Sequence, residues 1–169
     1  LPPPADSTAF KLAPSQTVTI FEKDSPSAIT GWTLKLKLPE DVDARRALLM
    51  NLVVQMNWDG GDKPAVWAPL DAFFGTQPGV NPFTTYPTGV EEDGIFWCRW
   101  FMPFKSARIT LLNRGAETAE VASAVQVAPL RRPIDAYGRF HAKWHGDDPE
   151  PLPEPERQAI DWRVLHANG

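Results

Sequence analysis

Eighteen of the 169 residues are proline, spread from Pro2 to Pro155, and this constrains the fold more than any other feature. Each proline removes a backbone N–H and clashes with the preceding helical turn, so it is confined to turns, edge strands and helix starts. At about twice the usual share, the prolines exclude a helical bundle and favour an all-β domain with long loops. Seven tryptophans fit the same reading. The length suits one domain with a little left over, able to bury about 70% of its unfolded surface. With 43% apolar and 22% charged residues, the composition is that of a globular chain and argues against wholesale disorder.

Several function classes drop out. Seventeen basic residues against 21 acidic ones leave a net charge of −4, and no basic run exceeds Arg131-Arg132, so a nucleic-acid partner is not expected. No apolar run approaches the roughly 20 residues of a membrane span. The single cysteine, Cys98, can build neither an internal disulfide nor a zinc site, and no cofactor or metal is expected. The opening Leu1-Pro2-Pro3-Pro4 reads as a processed or truncated end. The compartment is not legible.

Residues 1–14 read as an extended Pro-rich arm. Strands are expected at 17–21, at 28–38 with Trp32, Leu34, Leu36 and Leu38 on one face, and at 52–58 with Leu52, Val54, Met56 and Trp58 on one face. Asp59-Gly60-Gly61-Asp62 is a strong turn signal, followed by a returning strand over 63–70. Residues 43–47 have room for one helical turn only. Residues 73–93 form a long loop of the kind that often carries function. Further strands are expected at 94–101, 106–113, 120–128 and 134–144. An acidic Pro-rich linker over 146–157 precedes a last strand within 158–169. About eight or nine strands without a long helix or internal repeat predict a jelly-roll-like β-sandwich spanning 15–145.

Candidate chemistry competes with plainer roles. Acidic residues near the long loop, Asp59, Asp71, Glu91, Glu92 and Asp93, include possible partners for a carboxylate pair of the glycosidase kind. Asp59 and Asp93 each precede glycine, as ordinary turn residues do. His141 and His145 stand four apart, a metal-ligand spacing on a helix but about 13 Å on a strand. Cys98 lies among aromatics and reads as a buried, inert thiol. Trp58, Trp67, Phe73, Phe74, Trp97 and Trp100 are either core, subunit interface or a sugar-stacking platform.

Longer motifs carry a family resemblance. The run from Asn57 to Gly75, containing Trp58-Asp59-Gly60, Pro64-Ala65-Val66 and Pro69-Leu70-Asp71-Ala72-Phe73-Phe74-Gly75, resembles the "W-D-G-x-x-x-P-S-V-x-x-P-L-G-D-F-F-G" segment of glycoside hydrolase family 172, formerly domain of unknown function 2961. In order along the chain, Pro26 to Thr30 with Trp32, Met102 to Ile109 with Asn113 and Gly115, Phe140-His141-Ala142 with Trp144, and Ile160 to Gly169 are similar to further segments of that family. The resemblance covers nearly the whole chain from about residue 10 and identifies it with the first jelly roll of a tandem pair. It implies assembly into trimers or larger homo-oligomers, similar to double jelly-roll capsid proteins, and retaining hydrolysis of fructofuranosyl or arabinofuranosyl linkages. The family's two glutamates lie in "G-E-G-D-E" and "T-E-D-Y-F" motifs of the second jelly roll, and neither motif occurs here.

One departure stands out: the acidic position of "L-G-D-F-F-G" is Ala72, with Asp71 one residue earlier. In a strand that shift would turn the side chain to the opposite face. The resemblance thus implies a domain that shapes a furanoside pocket and an oligomer interface, has no catalytic residue of its own, and pairs with a second jelly-roll domain or chain. The functional surface is expected around Trp58, Asp59, Asp71, Phe73, Phe74, Asn81, Trp97 and Trp100. The alternative is a non-catalytic structural assembly or carbohydrate-binding protein.

Overall fold

The computed structural model describes residues 7–145. Along the chain run β1 (Thr8–Leu12), β2 (Thr17–Lys23), β3 (Ser27–Leu36), α1 (Val42–Asn51), β4 (Leu52–Trp58), β5 (Val66–Pro69), α2 (Leu70–Phe74), β6 (Phe83–Thr84), β7 (Thr88–Val90), β8 (Ile95–Cys98), β9 (Met102–Phe104), β10 (Ala107–Asn113), β11 (Ala119–Ala128), a 3-10 turn at Ile134–Ala136 and β12 (Ala142–Lys143). Two sheets face each other. One has the order β1-β11-β3-β8-β7-β6, with β9 also on β3; the other has the order β12-β5-β4-β10-β2. The result is an all-β, jelly-roll-like sandwich. Adjacent strands are antiparallel except for β12, which lies parallel to β5.

Alternation in the sequence explains the core. Trp32, Leu34 and Leu36 of β3, Leu52, Val54, Met56 and Trp58 of β4, and Ile109 and Leu111 of β10 are all buried in one cluster. The intervening Lys35 and Arg108 are exposed, as period-two strands with one solvated face require. Between β7 and β8 the turn depends on Gly94, at φ +81°; a Cβ there would meet the Leu36 carbonyl oxygen at 2.6 Å. That carbonyl belongs to the central strand of its sheet, so only glycine lets the turn pass so close.

The structure departs from the sequence reading in several places, among them β9, a three-residue strand on β3 where none was expected. Within the arm, Thr8–Leu12 is a strand that pairs antiparallel with β11. The single helical turn is a ten-residue helix, α1. Asp41 caps it by accepting from the Ala44 N–H at 2.8 Å, yet only Leu49 is buried, so no apolar stripe advertises the helix. The long loop holds the end of α2 and the strands β6 and β7, whose two or three residues are too few to show alternation. The strand expected over 134–144 is a 3-10 turn and the two-residue β12. The linker over 146–157 and the strand within 158–169 lie outside the described residues.

Candidate functional site

The turn after β4 is the best-defined polar feature of the surface. Asp59 sits at φ +58°, a left-handed conformation that aspartate tolerates better than most residues. Its carboxylate ties three pieces of chain together. Oδ1 accepts from the Lys105 N–H at 2.6 Å and the Ser106 N–H at 3.2 Å; Oδ2 accepts from Arg139 Nε at 2.6 Å. Burial pushes this carboxyl upward, but the Arg139 hydrogen bond, the two backbone N–H groups and the guanidinium charge outweigh it and hold the group below its usual 3.8. Asp59 is therefore an ionised acceptor at neutral pH.

Behind the turn runs a chain of aromatic rings. Trp58 lies parallel to Phe104, 6.2 Å between centroids, and its Nε1 donates to the Phe140 carbonyl at 2.7 Å. Phe140 stacks on Trp100 at 5.1 Å, Trp100 meets Phe73 edge-on at 5.1 Å, and Phe73 meets Phe74 and Trp32 edge-on. The structure thus joins Trp58, Asp59, Trp100, Phe73 and Phe74, which the sequence reading singled out, into one connected unit. Trp58, Phe73 and Phe74 are buried in the core, and Trp100 packs against it.

The other singled-out residues lie apart from this unit. Trp97 alternates with the core residues Phe96 and Cys98 and so takes the outer face of its sheet. It is nonetheless only 7% exposed, with the Arg99 guanidinium 4.9 Å from its ring. Asn81 is committed to its own loop: Nδ2 donates to the carbonyls of Thr76 (2.7 Å) and Pro78 (2.9 Å), and its N–H donates to Thr76 Oγ1. Asp71 is wholly buried in α2. Its Oδ1 accepts from the Ala72 N–H, whereas Oδ2 is, among the described residues, the buried side-chain oxygen or nitrogen left without a partner. Because Asp71 and Ala72 lie on a helix, exchanging one position for the other rotates the carboxylate by about 100° rather than flipping it.

Burial raises the Asp71 carboxyl above 3.8, with the backbone N–H groups of Ala72 and Gly79 opposing. A carboxyl raised in the folded state binds more protons folded than unfolded, so its contribution to stability falls as pH rises above 3.8. Asp71→Asn should therefore be more stable than the parent at neutral pH, with the gain vanishing below that value. Denaturant titrations at neutral and acid pH measure it; a loss of stability at neutral pH would show that the charged carboxylate is needed.

Burial pushes the Cys98 thiol up to about 12, which leaves it a poor nucleophile. His141 and His145 are exposed, and the described residues hold no group of three or more His, Cys, Asp or Glu side chains able to hold a metal.

Beside the Asp59 turn is a depression of about 310 Å³, lined by Trp58, Asp59, Lys63, Arg139, His141 and Lys143 among others. A larger groove of about 670 Å³ lies at β1, β11 and the end of β3. Of the acidic candidates Glu92 and Asp93 line it, but Asp93 is taken up by Lys35, and Lys11 and Lys37 share Glu120; none of the residues expected to form the functional surface lines it. The depression is therefore the candidate site. Arg139, Lys63 and Lys143 were not singled out in the sequence. Arg139 is brought to Asp59 from 80 positions away, and the one hint of it is the neighbouring Phe140-His141-Ala142 motif.

A family model described as GH172 domain-like matches residues 4–126. A search of curated proteins returns no match.

Proposed function

Since the chain belongs to the GH172 domain-like family, we propose that it is the non-catalytic first jelly roll of a furanoside-acting protein, and that the depression beside Asp59 receives part of a fructofuranoside or arabinofuranoside glycan. The observation that carries this reading is the locked Asp59 turn. A carboxylate offers about four acceptor positions, and three are filled by Lys105, Ser106 and Arg139. The remaining position suits a sugar hydroxyl, and the surrounding bonds fix its direction before any sugar arrives. The aromatic chain behind it keeps Trp58 and Arg139's segment in register.

Binding fits this site better than bond cleavage. Retaining hydrolysis needs two carboxyl groups about 5 Å apart, one of them protonated. The depression presents the single carboxylate Asp59, already ionised. The nucleophile and the acid are supplied in this reading by a second jelly roll. Homo-oligomer formation belongs to the same reading, with Phe101, 51% exposed and packed at 5.5 Å on Tyr137, as apolar surface next to Trp100.

Calorimetry against furanose and pyranose oligosaccharides tests the proposal. Saturable binding of the furanose series is expected, with no chromophore released from aryl α-arabinofuranosides or α-fructofuranosides by the 169-residue chain. Chromophore release would place catalytic groups in this domain. Concentration-dependent oligomers without sugar binding would replace the glycan reading with a structural assembly.

A further inference from the structure

The charges around the depression are out of balance. Lys63, Arg139 and Lys143 line it against one carboxylate, Asp59, in a chain whose net charge is −4. Elsewhere Lys11, Lys35, Lys37 and Lys105 each have a carboxylate within ion-pair distance. Among the described residues, Lys63 and Lys143 have none; Lys23 has none either, but it stands between Glu22 and Asp24 in the chain. Arg139 is held firmly: Nε donates to Asp59, and Nη1 donates to the carbonyls of Tyr137 (2.8 Å) and Ile134 (3.4 Å). Its Nη2, with two further N–H donors, has no acceptor among the described residues. The side chain is only 19% exposed, so this donor pair is fixed in direction rather than free to seek its own partner.

A preoriented guanidinium edge flanked by two unpaired ammonium groups is matched chemically by an oxyanion, which accepts from the guanidinium and is drawn in by the lysines. We propose that the depression recognises an oxyanion substituent, a phosphate or carboxylate, carried on the furanoside glycan. This rests on the glycan reading above. Arg139 Nη2 donates to the anion and sets its position, Lys63 and Lys143 supply charge, and Asp59 is left to accept from a neighbouring hydroxyl. His141 borders the same space, as donor or acceptor according to tautomer.

The test uses the full chain and three probes: D-arabinose 5-phosphate, whose blocked 5-hydroxyl restricts its ring to a furanose; methyl α-D-arabinofuranoside; and inorganic phosphate. Calorimetry is expected to show arabinose 5-phosphate binding at least about tenfold more tightly than the neutral furanoside, weakening as salt is raised. The exposed double change Lys63→Ala/Lys143→Ala, which should leave the fold intact, is expected to weaken binding of the sugar phosphate at least about tenfold more than that of the neutral furanoside and so to erase that preference. Equal binding of both furanosides, indifferent to the double change, overturns the anion proposal and leaves the glycan reading standing. Inorganic phosphate binding as tightly as the sugar phosphate also overturns it, since the sugar would then contribute nothing. Failure of all three probes removes both readings together.

Discussion

Phe74→Ala is expected to lower the unfolding free energy by about 3–5 kcal/mol, the range for truncating a large buried aromatic. Phe74 is wholly buried at the end of α2. Its ring lies 5.3 Å from Trp32, 5.1 Å from Phe73 and 5.6 Å from Phe96. Those neighbours belong to strands held by ladders on either side or to the same short helix, so they are poorly placed to collapse into the space left behind. Gly75, left-handed at φ +75°, closes the helix immediately after Phe74 and fixes where the ring enters the core. Phe74→Leu, which retains most of the volume, should cost only about 1–2 kcal/mol. Guanidinium denaturation of the three proteins decides the matter; a loss below about 1 kcal/mol for the alanine change would mean that Phe74 is not packed among Trp32, Phe73 and Phe96.

Asp59→Ala is the second large effect, expected at about 2–3 kcal/mol. Alanine in the left-handed region costs roughly 1–2 kcal/mol. The backbone N–H groups of Lys105 and Ser106 and the Arg139 guanidinium also lose their acceptor. The ion pair itself is counted low because its side chains retain 19% and 25% exposure. Asp59→Asn keeps the backbone preference and an oxygen for Lys105 and Ser106, so about 1 kcal/mol is expected. The pH dependence has a definite sign. Because the folded carboxyl is held below 3.8, its stabilisation is present above that value and fades as pH falls through the depressed one. Acidification should therefore shrink the deficit of Asp59→Asn relative to the parent, just as it shrinks the advantage of Asp71→Asn; the two differences have opposite sign at neutral pH. A gap that widens on acidification would contradict the Arg139 pairing.

How far the chain could be read in advance depended on the length of each element. Strands of seven to ten residues, β3, β4, β10 and β11, announce themselves by alternation, and the Asp59-Gly60-Gly61-Asp62 turn by its composition. The short strands β6, β7, β9 and β12 are fixed by partners distant in sequence and have no room for a period. α1 was underestimated because it buries a single leucine. At the site, the aromatic residues were legible as a class, but whether each faces core or solvent depends on packing. Arg139 was invisible because its role comes from a fold that brings it 80 positions back to Asp59. The family motif marked Trp58 and Asp59 but not the lysines that share their depression.

The pairing of β1 with β11, Thr8 opposite Ser123 and Leu12 opposite Ala119, has a consequence for how the molecule is made. Once β1 has left the ribosome it waits for roughly a hundred more residues before its partner exists, several seconds at typical synthesis rates. Until then the larger sheet cannot close on that side, and such non-local closure is slow. Once formed, β1 covers the first half of β11, Ala119 to Ser123, five residues that would otherwise be open hydrogen-bonding edge. The N-terminal strand thus serves as a late-fitted seal against edge-to-edge aggregation, and trimming the chain past Leu12 would trade a few residues for a sticky border.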